Sequence, residues 1–159
     1  MKLKFYKDDD FVNYKKCSFF LGTSTCSWKC CIEQGLSLSV CQNQPWAKQE
    51  TTEVDNSWLI ERYLEDPIEE AVVIGGLEPF DDFNDILCFI REFRKYSDDD
   101  VVIYTGYYPN EVAEKINELQ KISNITIKFG RYIPNSEKVF DPILGVTLAS
   151  NNQFAKKIS

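Results

Sequence analysis

Apolar residues along the chain fall into compact runs and into stripes of helical period, and the two patterns take turns. Four compact runs predict buried strands. They span residues 17–22, 71–74, 101–104 and 125–129. Helices are predicted between the strands, most clearly where one apolar stripe joins five positions. These are Phe83, Ile86, Leu87, Ile90 and Phe93.

Capping signals place two further helices. Asp55 is a typical N-cap for a helix that Pro67 must end, and Pro109 suits the first turn of a helix that continues to about Ser123. Alternating strands and helices predict an α/β fold with a mainly parallel sheet and right-handed crossovers. No linker or repeat interrupts the pattern, so we expect a single domain over residues 1–159.

Composition narrows the functional classes. The 159 residues are 43% hydrophobic, which is enough for a packed core. A net charge of −7 disfavours a nucleic-acid partner, because phosphate binding needs clustered basic residues. The chain has no histidine, which excludes Ser-His-Asp and Cys-His nucleophile pairs and every zinc site that includes histidine.

Six cysteines are many for a chain whose start carries no apolar leader. No stretch approaches the roughly 18 apolar residues of a membrane span, so we expect a cytoplasmic protein with no membrane partner. In a reducing compartment, clustered thiols are more typical of metal or cluster ligands than of disulfides. Cys17 and Cys88 lie in apolar strand and helix patterns, and we expect them to be core thiols.

Unusual residues follow three of the predicted strands. The first strand is followed by cysteines, the second by residues 75–79 (Gly-Gly-Leu-Glu-Pro) and the third by residues 105–107 (Thr-Gly-Tyr). Ligands of α/β sheets bind at the carboxyl ends of the strands, so the three segments predict one shared site. The acidic run at residues 98–100 precedes a strand and is predicted to be a solvated loop at the opposite edge.

The cysteine spacing favours an iron–sulfur cluster. Cys26, Cys30 and Cys41 can hold three irons of a 4Fe-4S cluster, which leaves the fourth iron open for a ligand that is not protein. The alternative is a zinc site with four thiolate ligands. Cys26 and Cys30 fit one close pair of such a site, but Cys41 has no near partner.

With these residues the chain resembles the radical S-adenosylmethionine enzymes, and within them the small activating proteins of anaerobic ribonucleotide reductase. The family's motif has three cysteines spaced x3 and x2, and then an asparagine that is separated from the third cysteine by one residue. Cys26 and Cys30 match the first pair, and Cys41 with Asn43 resembles the third cysteine and its asparagine across a gap of ten residues. Cys31 remains a competing third ligand.

Later motifs continue the resemblance in the same order. Residues 73–79 are similar to the family's strand ending in Gly-Gly-Glu-Pro, with Leu77 as a departure. Three further segments resemble its Thr-Gly-Tyr, Asp-Gly-Arg-Phe and Gly-Ser-x-Asn-Gln motifs, with Phe129 in place of the aspartate. They are residues 104–107, 129–132 and 148–153.

The resemblance implies a short, incomplete (βα) barrel, since a complete one needs about 200 residues or more. It implies a 4Fe-4S cluster and S-adenosylmethionine as cofactors. Cys26, Cys30 and Cys41 would then hold the cluster. The residues implied to bind S-adenosylmethionine are Asn43, Gly75, Gly76, Glu78, Pro79 and Thr105.

The implied activity is that of a glycyl-radical-activating oxidoreductase whose chemistry belongs to its cofactors. An electron from a flavodoxin-type donor would cleave S-adenosylmethionine, and a glycyl radical would remain on a large partner, the anaerobic ribonucleoside-triphosphate reductase. Two alternatives stay open. One is a degenerate, non-catalytic iron–sulfur or zinc protein of the same fold, and the other is an activase for a different glycyl radical partner.

Overall fold

Strands and helices alternate through the computed structural model, which describes residues 1–159. The nine strands are β1 (Lys2–Asp10), β2 (Ser18–Thr23), β3 (Thr52–Glu53), β4 (Ala71–Gly75), β5 (Asp100–Tyr104), β6 (Ile125–Phe129), β7 (Val139–Asp141), β8 (Val146–Leu148) and β9 (Phe154–Lys157). The α-helices are α1 (Lys29–Ile32), α2 (Gln44–Ala47), α3 (Asn56–Glu65), α4 (Phe83–Phe93) and α5 (Ala113–Leu119). Short 3-10 helices span Leu38–Val40, Pro79–Asp82 and Pro109–Glu111. No helix is long and apolar enough to cross a membrane.

Seven strands form one sheet in the order β3-β1-β2-β4-β5-β6-β9. The four central strands, β2, β4, β5 and β6, are parallel and correspond to the four predicted strands. Each pairs with the next along the chain, with Leu21 beside Ile74 and Ile74 beside Ile103. The outer strands β1, β3 and β9 pair antiparallel, and β7 and β8 form a separate hairpin.

The two faces of the sheet are covered differently. Alternate strand residues such as Ile74 and Ile103 pack with α3, α4 and α5 in the larger of two apolar clusters. The intervening residues, such as Val73 and Val102, pack on the other face with Tyr14, Leu144 and Leu148 from loops and the hairpin.

All three crossover helices therefore lie on one face, as right-handed connections require when the strands follow one direction. This winding is that of a (βα) barrel, although the outermost strands β3 and β9 do not pair with each other. The incomplete barrel stays a prediction.

Three local expectations are corrected. Cys88 is exposed rather than a core thiol, because it lies two residues from both Ile86 and Ile90 and so on the opposite side of α4. Cys17 is buried as expected. The helix predicted from Pro109 to Ser123 is a 3-10 turn followed by α5, with a break at Val112.

The third correction concerns the acidic run at residues 98–100. Asp100 begins β5 and is only partly exposed, since its carboxylate binds Lys16 at 2.7 Å and the Tyr14 hydroxyl at 3.1 Å. Asp99 likewise accepts a hydrogen bond from the Tyr63 hydroxyl at 2.7 Å. Asp98 is exposed in a loop as predicted, whereas Asp99 and Asp100 are part of the packed structure.

Candidate functional site

The carboxyl ends of the central strands border one cavity of about 250 Å³. As predicted, it brings together segments that follow β2, β4 and β5. Its lining includes Cys26, Cys30, Cys41, Asn43, Gly76, Leu77, Glu78, Thr105 and Gly106. Two residues of the predicted binding set, Gly75 and Pro79, lie beside the cavity without lining it. The site residues inferred from three distant parts of the sequence thus share one place in the fold.

Two aspartates hold the segment that leads into the first cysteines. The backbone N–H groups of Ser24 and Thr25 donate to the Asp82 carboxylate at 3.2 and 3.1 Å. The N–H of Ser27 donates to Asp81 at 2.6 Å. These hydrogen bonds fix the approach to Cys26.

Asn43 ties the third cysteine to the turn after β4. Its side-chain amide donates to the carbonyl oxygen of Gly76. Gly76 has a φ of 89°, and a Cβ there would lie 3.2 Å from the Cα of Gly22. The turn therefore requires glycine at this position, both for its backbone conformation and for its close approach to β2.

An ion-pair cluster fixes α1, which carries Cys30. The Arg131 guanidinium binds Glu111 through two hydrogen bonds of 2.7 Å and also reaches Glu33 at 2.6 Å. Lys29 pairs with the same two acids. Arg131 holds the pKa of Glu111 well below its ordinary value, because its hydrogen bonds favour the carboxylate. The cluster thereby joins α1, the 3-10 helix Pro109–Glu111 and the segment that follows β6.

Glu78 is buried at the wall of the cavity and its carboxylate is fully engaged. It accepts hydrogen bonds from the Thr105 hydroxyl at 2.7 Å, the Gly106 N–H at 2.8 Å and the Phe80 N–H at 3.1 Å. Burial raises the pKa of Glu78 to about 7, against the effect of these donors. A Cβ at Gly106 would lie 3.4 Å from Glu78 and 4.0 Å from the Cβ of Cys30, so the three residues are neighbours.

Comparison with known families identifies the family of the chain. The sequence matches the family described as a 4Fe-4S single cluster domain over residues 15–153. The match spans most of the chain and includes every cysteine considered as a cluster ligand. The chain belongs to the 4Fe-4S single cluster domain family. No curated protein and no solved structure matched the chain.

Three thiols of this 4Fe-4S single cluster domain line the same cavity. No group of three or more cysteine and acidic side chains could hold one metal ion, and Cys26, Cys30 and Cys41 instead surround the cavity. In a 4Fe-4S cluster each thiolate binds a different iron, whereas zinc draws its thiolates to a single point. Three thiols that line one cavity fit the three cysteine ligands of a 4Fe-4S cluster with one open iron.

Backbone N–H groups reinforce this fit. The N–H of Trp28 donates to the Cys26 sulfur at 3.3 Å, and the backbone N–H groups of Asn43 and Gln44 act to lower the pKa of the Cys41 thiol. Such donors favour a thiolate. Without metal, burial raises the pKa of Cys26 and of Cys30 to about 12 and also raises that of Cys41. The free thiols are thus protonated, and cluster binding must displace their protons.

Cys31, the competing ligand, lies in a different place. Its side chain is buried, does not line the main cavity and borders a smaller apolar one of about 140 Å³ together with Cys41. The sulfurs of Cys30 and Cys31 are 4.0 Å apart. The three cysteines that line the main cavity are those predicted as ligands, and their role as ligands stays a prediction.

Sequence reasoning missed Lys128 at this site. It is 7% exposed, lies on β6 and lines the main cavity with Glu78 and Cys30. Burial lowers the pKa of Lys128 to about 8, while Glu78 and Cys30 act in the opposite direction. The signal in the sequence is one lysine within an otherwise uncharged strand, Ile-Thr-Ile-Lys-Phe.

Proposed function

We propose that this iron–sulfur protein is a radical S-adenosylmethionine enzyme that generates a glycyl radical on a partner anaerobic ribonucleoside-triphosphate reductase. The observation that carries the proposal is the shared cavity. Cys26, Cys30 and Cys41 line it together with the Gly76–Glu78 turn. The motif resemblance across the chain assigns the first set to a cluster and the second to the amino-acid part of S-adenosylmethionine.

Three cysteine ligands would leave one iron open to substrate. When bound, the cluster supplies the electron that breaks the sulfur–carbon bond of S-adenosylmethionine and yields a 5′-deoxyadenosyl radical. The chain's own residues bind and orient the substrate. Asn43 holds the Gly76 turn against the cysteine segment, and Thr105 and Gly106 hold the Glu78 carboxylate. We assign the electron to a flavodoxin-type donor, on the resemblance alone.

The partner would be a protein because the winding of the sheet suits a partial barrel. With crossover helices on one face and strands β3 and β9 unpaired with each other, the sheet leaves a side that a glycine-bearing loop could enter. Such a loop would exclude water from a radical formed in the cavity.

All six cysteines are free, which is typical of proteins in a reducing compartment and supports a cytoplasmic location.

Anaerobic reconstitution with iron and sulfide tests the proposal in two steps. The reduced protein with S-adenosylmethionine should release 5′-deoxyadenosine. Addition of a class III ribonucleotide reductase from the same source should then give a glycyl radical doublet by electron paramagnetic resonance. Release of 5′-deoxyadenosine without that doublet would keep the enzyme class and point to a different glycyl radical partner.

A second candidate is a non-catalytic cluster protein, which one observation favours. Both oxygens of Glu78 already accept hydrogen bonds from protein donors, so the carboxylate has limited capacity for a substrate amino group. A reconstituted protein that holds a full cluster but neither binds nor cleaves S-adenosylmethionine would support this candidate.

A further inference from the structure

Lys128 places a charged amine in the wall of the cluster cavity. Lys128 is 7% exposed. Its side chain leaves β6 on the face opposite the helices, because its neighbours Ile127 and Phe129 belong to the helix-facing cluster. An ammonium buried in this way is costly unless a negative charge or a full set of acceptors compensates it.

The polypeptide offers little compensation. The Lys128 Nζ donates one hydrogen bond, to the carbonyl of Gly130 at 3.0 Å, although an ammonium has three donors. It makes no ion pair, whereas nine other pairs exist in the protein. The Tyr104 ring lies 6.0 Å from Nζ, at the outer limit of a cation–π contact.

The one carboxylate that lines the cavity with Lys128 is already used. Glu78 is oriented by Thr105, Gly106 and Phe80 and does not reach Lys128 as an ion pair. In the metal-free protein the buried ammonium of Lys128 therefore has no ion-pair partner in the cavity.

We propose that Lys128 is the internal counter-charge of the bound cluster and raises the cluster's reduction potential. Thiolate ligands and inorganic sulfides make the loaded cluster net negative, and reduction adds one further negative charge beside the ammonium. A nearby fixed cation stabilises the reduced form more than the oxidised form. The proposal deepens the proposed function and rests on its cluster, but not on cleavage of S-adenosylmethionine.

The first test compares the metal-free and reconstituted proteins by urea unfolding. Lys128→Met keeps the apolar stem and removes the charge, Lys128→Arg keeps the charge, and Lys156→Met changes an exposed lysine on β9 as the matched control. We expect the urea midpoint of metal-free Lys128→Met to equal or exceed the midpoint of the metal-free wild type. With the cluster bound, we expect the midpoint of Lys128→Met to fall below the midpoint of the wild type. The control should change neither midpoint.

The second test measures the midpoint potential of the cluster by anaerobic redox titration. Lys128→Met should shift it to a more negative value, while Lys128→Arg and Lys156→Met should leave it near that of the wild type. An unchanged potential in Lys128→Met overturns the proposal. So does a metal-free Lys128→Met less stable than the wild type, since the ammonium would then be compensated within the polypeptide.

Lys128→Met could fail to bind a cluster although its metal-free form is at least as stable as the metal-free wild type. That result would support the proposal, because cluster binding would then require the charge of Lys128. The proposed function fails separately. A shifted potential together with no release of 5′-deoxyadenosine would keep the role of Lys128 and remove the enzymatic activity.

Discussion

The hydroxyl of Thr105 donates a hydrogen bond of 2.7 Å to the carboxylate of Glu78, which joins the turns after β5 and β4. The same carboxylate accepts the N–H groups of Gly106 and Phe80. A single buried acid thus sets the relative position of two strand ends at the cavity.

Replacing Glu78 by glutamine should weaken S-adenosylmethionine binding while the cluster absorbance is kept. The amide NH₂ of glutamine is itself a donor and would face protein groups that donate hydrogen bonds to the carboxylate of Glu78. We therefore also expect a loss of about 1–3 kcal/mol in unfolding free energy. Binding can be measured calorimetrically on the reconstituted protein, and stability by urea unfolding. Glu114→Gln, an exposed change on α5, is the control. Wild-type affinity in Glu78→Gln would remove Glu78 from the substrate site.

Much of this arrangement follows from local sequence signals. The four central strands are continuous apolar runs because both of their faces are buried, and that pattern marks parallel strands. The ends of such strands meet at one edge, so the order of the motifs along the chain is enough to predict that the cysteines, the glycine turn and Thr105 lie together. The same reasoning puts Glu78 at the cavity, but it does not predict the three protein donors that its carboxylate accepts.

Other features depend on tertiary contacts that carry no local signal. β1 has the polar sequence Lys-Leu-Lys-Phe-Tyr-Lys-Asp-Asp-Asp and is a strand because β2 offers it a free edge. β9 is likewise formed by pairing with β6. Cys88 resembles a core residue in composition, but the rotation of α4 turns it outward. Lys128 is recognisable in the sequence as a charge inside a buried strand, but the cavity that it faces depends on how the strands and loops pack.

The ligand set predicts a simple pattern of cluster loss. Alanine at Cys26, Cys30 or Cys41 should abolish the brown absorbance and the bound iron and sulfide after anaerobic reconstitution, because each removes one of three thiolates around the cavity. Alanine at Cys17 or Cys88 should retain both signals. A full cluster in Cys41→Ala, together with its loss in Cys31→Ala, would make Cys31 the third ligand instead.

Glu69 should make the metal-free protein less stable as the pH rises. Burial raises the pKa of Glu69 to about 7, assisted by the negative charges of Asp66, Asp8 and Asp9, and one of its carboxylate oxygens has no hydrogen-bond partner. Between its ordinary pKa of 4.5 and about 7, the native state binds more protons than the unfolded state. The unfolding free energy therefore falls across this window.

Glu69→Gln removes the group that causes this fall. We expect the unfolding free energy of Glu69→Gln to exceed that of the wild type by about 1–2 kcal/mol at pH 8 and to match it near pH 4.5. Urea unfolding at several pH values measures the difference. Other titrating groups, including Glu78, are present in both proteins and cancel. Glu70→Gln, the exposed neighbour, should follow the wild-type curve. Parallel curves for Glu69→Gln and the wild type would contradict the prediction.

Arg131 should be required to hold the cysteine-bearing helix α1 in place. Its side chain is 7% exposed and binds Glu111 through Nη1 and Nη2 of its guanidinium, as well as Glu33 at the end of α1. Arg131→Met would leave Glu111 without its main partner in a partly buried position. Breaking such a pair costs about 3 kcal/mol, and the remaining contact of Glu111 with Lys29 is more exposed.

Hydrogen exchange on the metal-free protein gives the sharper measurement. We expect faster exchange at the backbone N–H groups of Cys31, Ile32 and Glu33 in Arg131→Met, because these groups close the turns of α1. Arg131→Lys keeps the charge but lacks the planar fork, so it should show a smaller increase. Arg91→Met, which removes an exposed ion pair to Glu118, is the control. Equal exchange in α1 for Arg131→Met and the control would show that α1 is held by its other contacts, and that the ion-pair cluster is not what positions Cys30.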